Sequence, residues 1–160
     1  MTDAAASPKV RSAAFGRAAL VLAAVLALDQ LTKHTVAAGI RQGHPEKFLP
    51  GVQLVHVRNT GVAFSLLSGG GALVLAFTLG ALAVLVGYFA LRPGRQGLWL
   101  AVGLLVGGAV GNLIDRVANG AVVDFIKLPL WPAFNVADVA ITFGVLTLLW
   151  ALEGARRHER

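Results

Sequence analysis

A chain of 160 residues that is 56% hydrophobic and only 14% charged lies far from an ordinary soluble domain, which is about 25% charged, and its mean hydropathy is +0.72. With no cysteine it can form no disulfide, thiolate nucleophile, thiolate metal site or cysteine-linked lipid. The net charge of +6 does not point to nucleic acid: Lys9, Arg11, Arg17, Arg92, Arg95, Arg156, Arg157 and Arg160 flank apolar runs instead of forming one face, which is how membrane-edge anchors are placed beside anionic lipid.

The length fits one domain, residues 1–160. Residues 1–12 read as a disordered tail. A first apolar span covers about residues 13–36, with its centre at 18–28 and Arg17 placed to snorkel. A basic start before an apolar core also describes a secretory signal peptide. Asp29 and Lys33 directly after the core, and no clean small-x-small cleavage site, favour a span.

The next stretch, 37–68, is too long for a bare connection. Pro50-Gly51 marks a turn, Val55-His56-Val57-Arg58 alternates apolar and polar, and Asn59-Thr60-Gly61 marks a second turn before 62–67. This predicts a small β-element at about 50–67 on the outer membrane face. Three further apolar spans follow at about 69–91, 97–114 and 133–152. Each approaches the roughly 20 residues needed to cross a bilayer. The expected fold is an all-α membrane protein: a four-transmembrane-helix bundle with that β-element outside. Trp99, Trp131 and Trp150 read as interface anchors. The basic residues at both termini and in the 92–95 turn place those regions in the cytoplasm by the positive-inside rule. Lys33, Arg41, Lys47, Arg58, Arg116 and Lys127 fall outside.

Two carboxylates stand out. Asp124 lies between the last two spans and Asp138 near the start of the fourth. An ionised carboxylate in hydrocarbon costs roughly 2.5–3.5 kcal/mol on insertion scales, which makes such a residue a functional candidate. A close pair can supply one base and one acid. On the expected topology Asp29, Lys33, Asn112, Asp115, Arg116, Asp124 and Asp138 all fall at one depth on the outer side. Helix-cap residues would scatter over both ends. Asn112 and Arg116 share helix spacing, as do Asp29 and Lys33, and each pair also has a local reading as a salt bridge or polar helix end. Arg116 is suited to peptide carbonyls or headgroup oxygens. Asp115 points to another face and reads as a structural partner of a basic group. Gly103, Gly107, Gly108 and Gly111 read as a close-packing seam.

His34, His44, His56 and His158 lack metal-ligand spacing, so no zinc site is expected. There is no G-x-S-x-G, and Ser65 and Ser68 lack an evident base. A transporter or proton-conducting subunit would also place carboxylates in the bilayer, but it calls for polar groups on both sides and repeated halves. A glycine-packed scaffold leaves the one-sided clustering unexplained.

Five motifs occur in order: Asp29-Gln30-Leu31-Thr32-Lys33; Asn59-Thr60-Gly61-Val62-Ala63-Phe64-Ser65; Gly107-Gly108-Ala109-Val110-Gly111-Asn112-Leu113-Ile114-Asp115-Arg116; Val122-Val123-Asp124-Phe125-Ile126; and Phe134-Asn135-Val136-Ala137-Asp138. In these the chain resembles the lipoprotein signal peptidases, bacterial signal peptidase II. The resemblance implies a multi-pass inner-membrane aspartyl peptidase with both termini cytoplasmic and its site on the outer face. It implies substrates that are diacylglyceryl-modified prolipoproteins, cut on the amino side of the lipidated cysteine. Asp124 and Asp138 match the catalytic pair. Asp29, Lys33, Asn59, Gly61, Asn112, Arg116 and Asn135 match substrate-binding or supporting positions. No cofactor, metal or nucleic acid is implied, and membrane lipids and a monomeric state are expected.

Overall fold

In a computed structural model that describes residues 7–61 and 70–158, the chain opens with helix α1, Pro8–Gly39. Residues 8–12, expected within a disordered tail, are helical. Proline at the helix start has no N–H to leave unsatisfied, and Ser7 caps the helix by accepting from the Val10 amide at 3.4 Å. Residues 1–6 lie outside the described residues.

Helices α2 (Gly70–Leu91), α3 (Leu98–Asn119) and α4 (Val136–His158) follow. Among the described residues, α1, α3 and α4 contain stretches long and apolar enough to cross a membrane, and α2 has a shorter apolar run, Leu75–Leu91. Helix α3 continues past the expected end at 114, so Asp115 and Arg116 are helical. Gly120, at φ +70°, ends it by donating to the Arg116 carbonyl.

The β-structure differs from the expectation. Strands β1 (Glu46–Leu49), β2 (Val52–Asn59) and β3 (Val122–Lys127) form an antiparallel sheet in the order β1-β2-β3. Pro50-Gly51 is the β1–β2 turn, with Gly51 at φ +79°. The strand paired to the other side of β2 comes from between α3 and α4, which reads in sequence only as a motif-bearing loop. Its run Val122-Val123-Asp124-Phe125-Ile126 is β-branched and aromatic, and the single aspartate masks the pattern. The expected continuation at 62–67, with Ser65 and Ser68, lies outside the described residues.

Helix α3 is the central helix. Half of its apolar window is buried, against 17% for α1 and 22% for α4. Its glycines make this possible. A Cβ on Gly103 would sit 2.7 Å from Val21 Cβ of α1, and one on Gly108 would sit 2.6 Å from the Ala137 carbonyl of α4. The seam is therefore a packing feature on two faces of α3. Away from the sheet, Ala14, Ala18, Phe89, Leu98 and Val102 make an apolar core. Under the sheet, Val36, Ile40 and Phe125 form a second one.

Candidate active site

The chain reversal after β3 brings the two carboxylates toward one another. Phe134 donates to the Ile126 carbonyl at 3.0 Å, and its own carbonyl accepts from the Ile126 and Phe125 amides. That isolated bridge sets Asn135 beside β3 just as α4 begins. Asn135 then caps α4 reciprocally. Its side-chain oxygen accepts from the Asp138 amide at 3.0 Å, and its own amide donates to Asp138 Oδ2 at 3.2 Å. The same side chain donates through Nδ2 to Asp124 Oδ1 at 2.7 Å. One fully buried asparagine thus touches both carboxylates.

Asp124 also accepts from Asn59 Nδ2 at 2.9 Å. Asn59 is fixed in turn by the Gly61 amide, which donates to Asn59 Oδ1 at 2.9 Å; Gly61 sits at φ +70°, where a side chain would be strained. Burial pushes the Asp124 carboxyl above its ordinary range. The Asn59 hydrogen bond opposes this, the Asp138 charge adds to it, and Asn135 and Lys33 oppose it. Asp138 is half-buried and accepts from Asn112 Nδ2 at 2.9 Å.

Beneath this pair lies an ionic network built by α1 and α3. Lys33 Nζ donates to Asp29 Oδ2 at 2.7 Å, to Asp115 Oδ2 at 2.9 Å and to Asn112 Oδ1 at 2.8 Å. Asp29 is fully buried and reaches across to α4, accepting from the Ala137 amide at 2.9 Å. Asp115 accepts from the Val123 amide at 3.2 Å and so holds the start of β3. Removing one member of such a buried ionic set strands the others, at a cost of roughly 3–5 kcal/mol. Every buried side-chain polar atom among the described residues has a partner.

Asp29, Lys33, Asn59, Gly61, Asn112, Asn135, Asp124 and Asp138 are therefore connected. Arg116 differs: it is exposed, and among the described residues its Nη1 reaches only the Asn112 carbonyl, at 3.5 Å. Asn112 turns inward, so the two residues do not present one common surface. Asp115 does pair with a basic group, which is Lys33. Sequence reasoning assigned no role to Gln30, whose Nε2 donates to Asp29, Asp115 and the Gly111 carbonyl, each at 3.2 Å. Its amide between Asp29 and Leu31, inside an apolar span, was the available signal. Among the described residues, no group of three or more His, Asp or Glu is placed to hold a metal ion.

The family described as "Signal peptidase (SPase) II" matches residues 21–153. The chain belongs to the signal peptidase II family. It is 44% identical over 133 residues to a lipoprotein signal peptidase of Moorella thermoacetica, covering 80% of this chain and 87% of that protein. It is 40% identical over 148 residues to the Azoarcus sp. protein of the same name, covering 88% and 84%. A solved bacterial membrane enzyme, determined in meso at 1.9 Å resolution, has a TM-score of 0.79 at 35% identity, over 86% of this chain and 92% of that one. Membership in this family of membrane aspartyl peptidases gives the carboxylate cluster its chemical context.

Proposed function

We propose that the chain is an aspartyl endopeptidase of the bacterial inner membrane that removes signal peptides from diacylglyceryl-modified prolipoproteins, cutting on the amino side of the lipidated cysteine. The observation that carries this reading is the Asn135 bridge, which ties Asp124 and Asp138 into one polar cluster at the sheet end of the bundle.

Two neighbouring carboxylates share a proton, because both cannot ionise easily together. Burial favours the protonated form of Asp124. Asp138 then takes a proton from water as the water oxygen adds to the scissile carbonyl, and Asp124 gives its proton to the carbonyl oxygen. When the diol collapses, Asp138 returns its proton to the departing amine and Asp124 recovers one from the diol. The C–N bond breaks and both carboxyls regain their starting states. Asp29, Lys33, Asn59, Gly61, Asn112 and Asn135 hold the pair. Arg116, exposed one helical turn after Asn112, binds substrate carbonyl or headgroup oxygens. The acyl chains of the substrate stay in the bilayer while its peptide bond reaches the site.

The same reading has the chain act as a monomer that crosses the membrane four times, with both termini cytoplasmic and the sheet outside. Cysteine labelling at Gly94 and Gln53 is expected to require reagent on opposite sides; labelling of both from one side would reject this topology. The activity is tested with a diacylglyceryl prolipoprotein in lipid discs. Asp124→Asn and Asp138→Asn are each expected to cut turnover by roughly 10²- to 10⁴-fold, the range of acid–base catalysis, with folded protein retained. Near-normal cleavage by either variant, or loss of wild-type activity to a chelator, would overturn the mechanism.

A further inference from the structure

The Asn112 amide has two ends of nearly the same shape and opposite chemistry. Its nitrogen faces Asp138 Oδ1 at 2.9 Å, and its oxygen faces Lys33 Nζ at 2.8 Å. Turned over, it would aim an oxygen at a carboxylate and an N–H at an ammonium. We propose that Lys33 is a positioning residue that fixes the sense of the Asn112 amide, so that Asn112 always presents an N–H, never an oxygen, to Asp138. This deepens the peptidase reading above and rests on it.

Three features of the site make Lys33 the controlling group. An ammonium donates and cannot accept, so it admits only the oxygen end of Asn112. Its position is fixed: Asp29 at 2.7 Å and Asp115 at 2.9 Å take its remaining protons, and the side chain is only 4% exposed. Its order is also one-directional. Lys33 donates to Asn112, and Asn112 donates to Asp138, which leaves the carboxylate purely an acceptor, as a base must be before it takes a proton from water. Asn135 Nδ2 reinforces the same sense more weakly, donating to Asn112 Oδ1 at 3.2 Å. The groups that face this chain of donors from the packed elements are Asp29 from α1, Asp115 from α3, Asp124 from β3 and Asp138 from α4. None of them offers Asn112 Oδ1 a competing donor in this arrangement.

Replacing Lys33 alone would strand two buried carboxylates, so the test removes one positive and one negative charge together. Lys33→Met/Asp115→Asn and Lys33→Gln/Asp115→Asn have the same charge and nearly the same bulk, but only glutamine can donate to Asn112. With diacylglyceryl prolipoprotein in lipid discs, the methionine double is expected to lose roughly 10- to 100-fold in kcat relative to Asp115→Asn, the scale of one hydrogen bond to a charged group. KM should stay within about threefold, since substrate contacts are untouched. The glutamine double should recover part of that loss, by roughly tenfold over the methionine double. Equal kcat in the two doubles, while Asp124→Asn and Asp138→Asn each lose roughly 10²-fold or more, overturns the inference and leaves the peptidase reading standing. Near-normal cleavage by Asp124→Asn or Asp138→Asn overturns that reading and this inference with it. If neither double can be isolated, an atomic-resolution structure of the unaltered enzyme reads the amide sense directly. Asn112 oxygen facing Asp138 overturns the proposal, and nitrogen facing it supports it.

Discussion

At the end of the bundle away from the sheet, Arg95 and Arg17 reach backbone carbonyls, a tyrosine hydroxyl and ring faces; at the sheet end the buried polar side chains reach one another. Arg95, in the turn between α2 and α3, donates from Nε to the Ala151 carbonyl and from Nη2 to the Leu152 carbonyl, each at 2.9 Å, and from Nη1 to the Tyr88 hydroxyl. Arg17 lies 5.8 Å from the Trp99 ring centre. Each of these contacts can be lost without stranding a buried charge. At the sheet end, Asp29, Lys33, Asn112, Asp115, Asp124 and Asn135 are all buried and joined. The same three packed helices therefore carry the separate Arg95 and Arg17 contacts at one end and an interdependent network at the other. Networks of this kind are costly to break at any member and hold their groups in one geometry, which is what acid–base chemistry requires.

Arg116 fits neither pattern, and it offers a direct test of the contrast. It sits at the sheet end but is exposed, and Asp115, its neighbour in sequence, is taken by Lys33. A structural role would predict that Arg116→Lys changes little. A substrate-binding role predicts a turnover loss of about tenfold, near the value of one charge-assisted hydrogen bond, with an unchanged Tm. Kinetics and thermal unfolding of this one variant separate the two; wild-type turnover would remove Arg116 from the site.

A smaller effect follows from Asp124 itself. Burial raises its carboxyl above the ordinary value of 3.8, so between that value and its folded-state value the native protein binds more protons than the unfolded chain. Stability from this group is present at lower pH and is lost as pH rises through that window. Asp124→Asn cannot titrate. The Tm difference, variant minus wild type, is therefore expected to grow as pH rises above about 4 through that window. The asparagine also turns one acceptor into a donor facing Asn59 or Asn135, which shifts the difference at every pH without altering its slope. A difference that is flat with pH, or that shrinks, would show that Asp124 is not held in its protonated form.

Much of this was legible in the sequence because membranes make polar residues conspicuous. Asp29, Lys33, Asn112, Asp124 and Asp138 stand out from apolar surroundings, and four-residue spacing on a helix predicts the Asp29–Lys33 contact. The glycine seam was legible for the same reason: small residues at helical spacing have few uses besides close approach. What escaped was pairing at a distance. Nothing local says that β3 lies beside β2, since strand partners are chosen by register across the chain: Val57 opposite Asp124 and Asn59 opposite Val122. The inward turn of Asn112 away from Arg116 escaped for a related reason. Shared helix spacing gives a common face, while the partners Lys33 and Asp138 decide which side chain is drawn in. The early start of α1 was readable from Ser7-Pro8 and was hidden by weighing polarity over capping.

The smallest effect on turnover is expected at the opposite end, from Arg95→Ala. The guanidinium ties the α2–α3 turn to the end of α4 and lies 5.7 Å from the Tyr88 ring centre. Its loss leaves carbonyls that remain within a helix, the Leu152 one exposed, so the cost is modest, about 1–2 kcal/mol, or a Tm lower by roughly 4 °C for a chain of this size. The carboxylate cluster should not register it, because the apolar core of Ala14, Ala18, Phe89, Leu98 and Val102 lies at this end and contains no polar link to Lys33 or Asp29. Turnover in Arg95→Ala, measured well below its Tm, should therefore match wild type within about twofold, as distant and unconnected sites do. A loss in kcat comparable to that of Arg116→Lys would mean that the two ends are mechanically coupled through α3 or α4, and that the contrast between independent and networked ends does not describe how the bundle works.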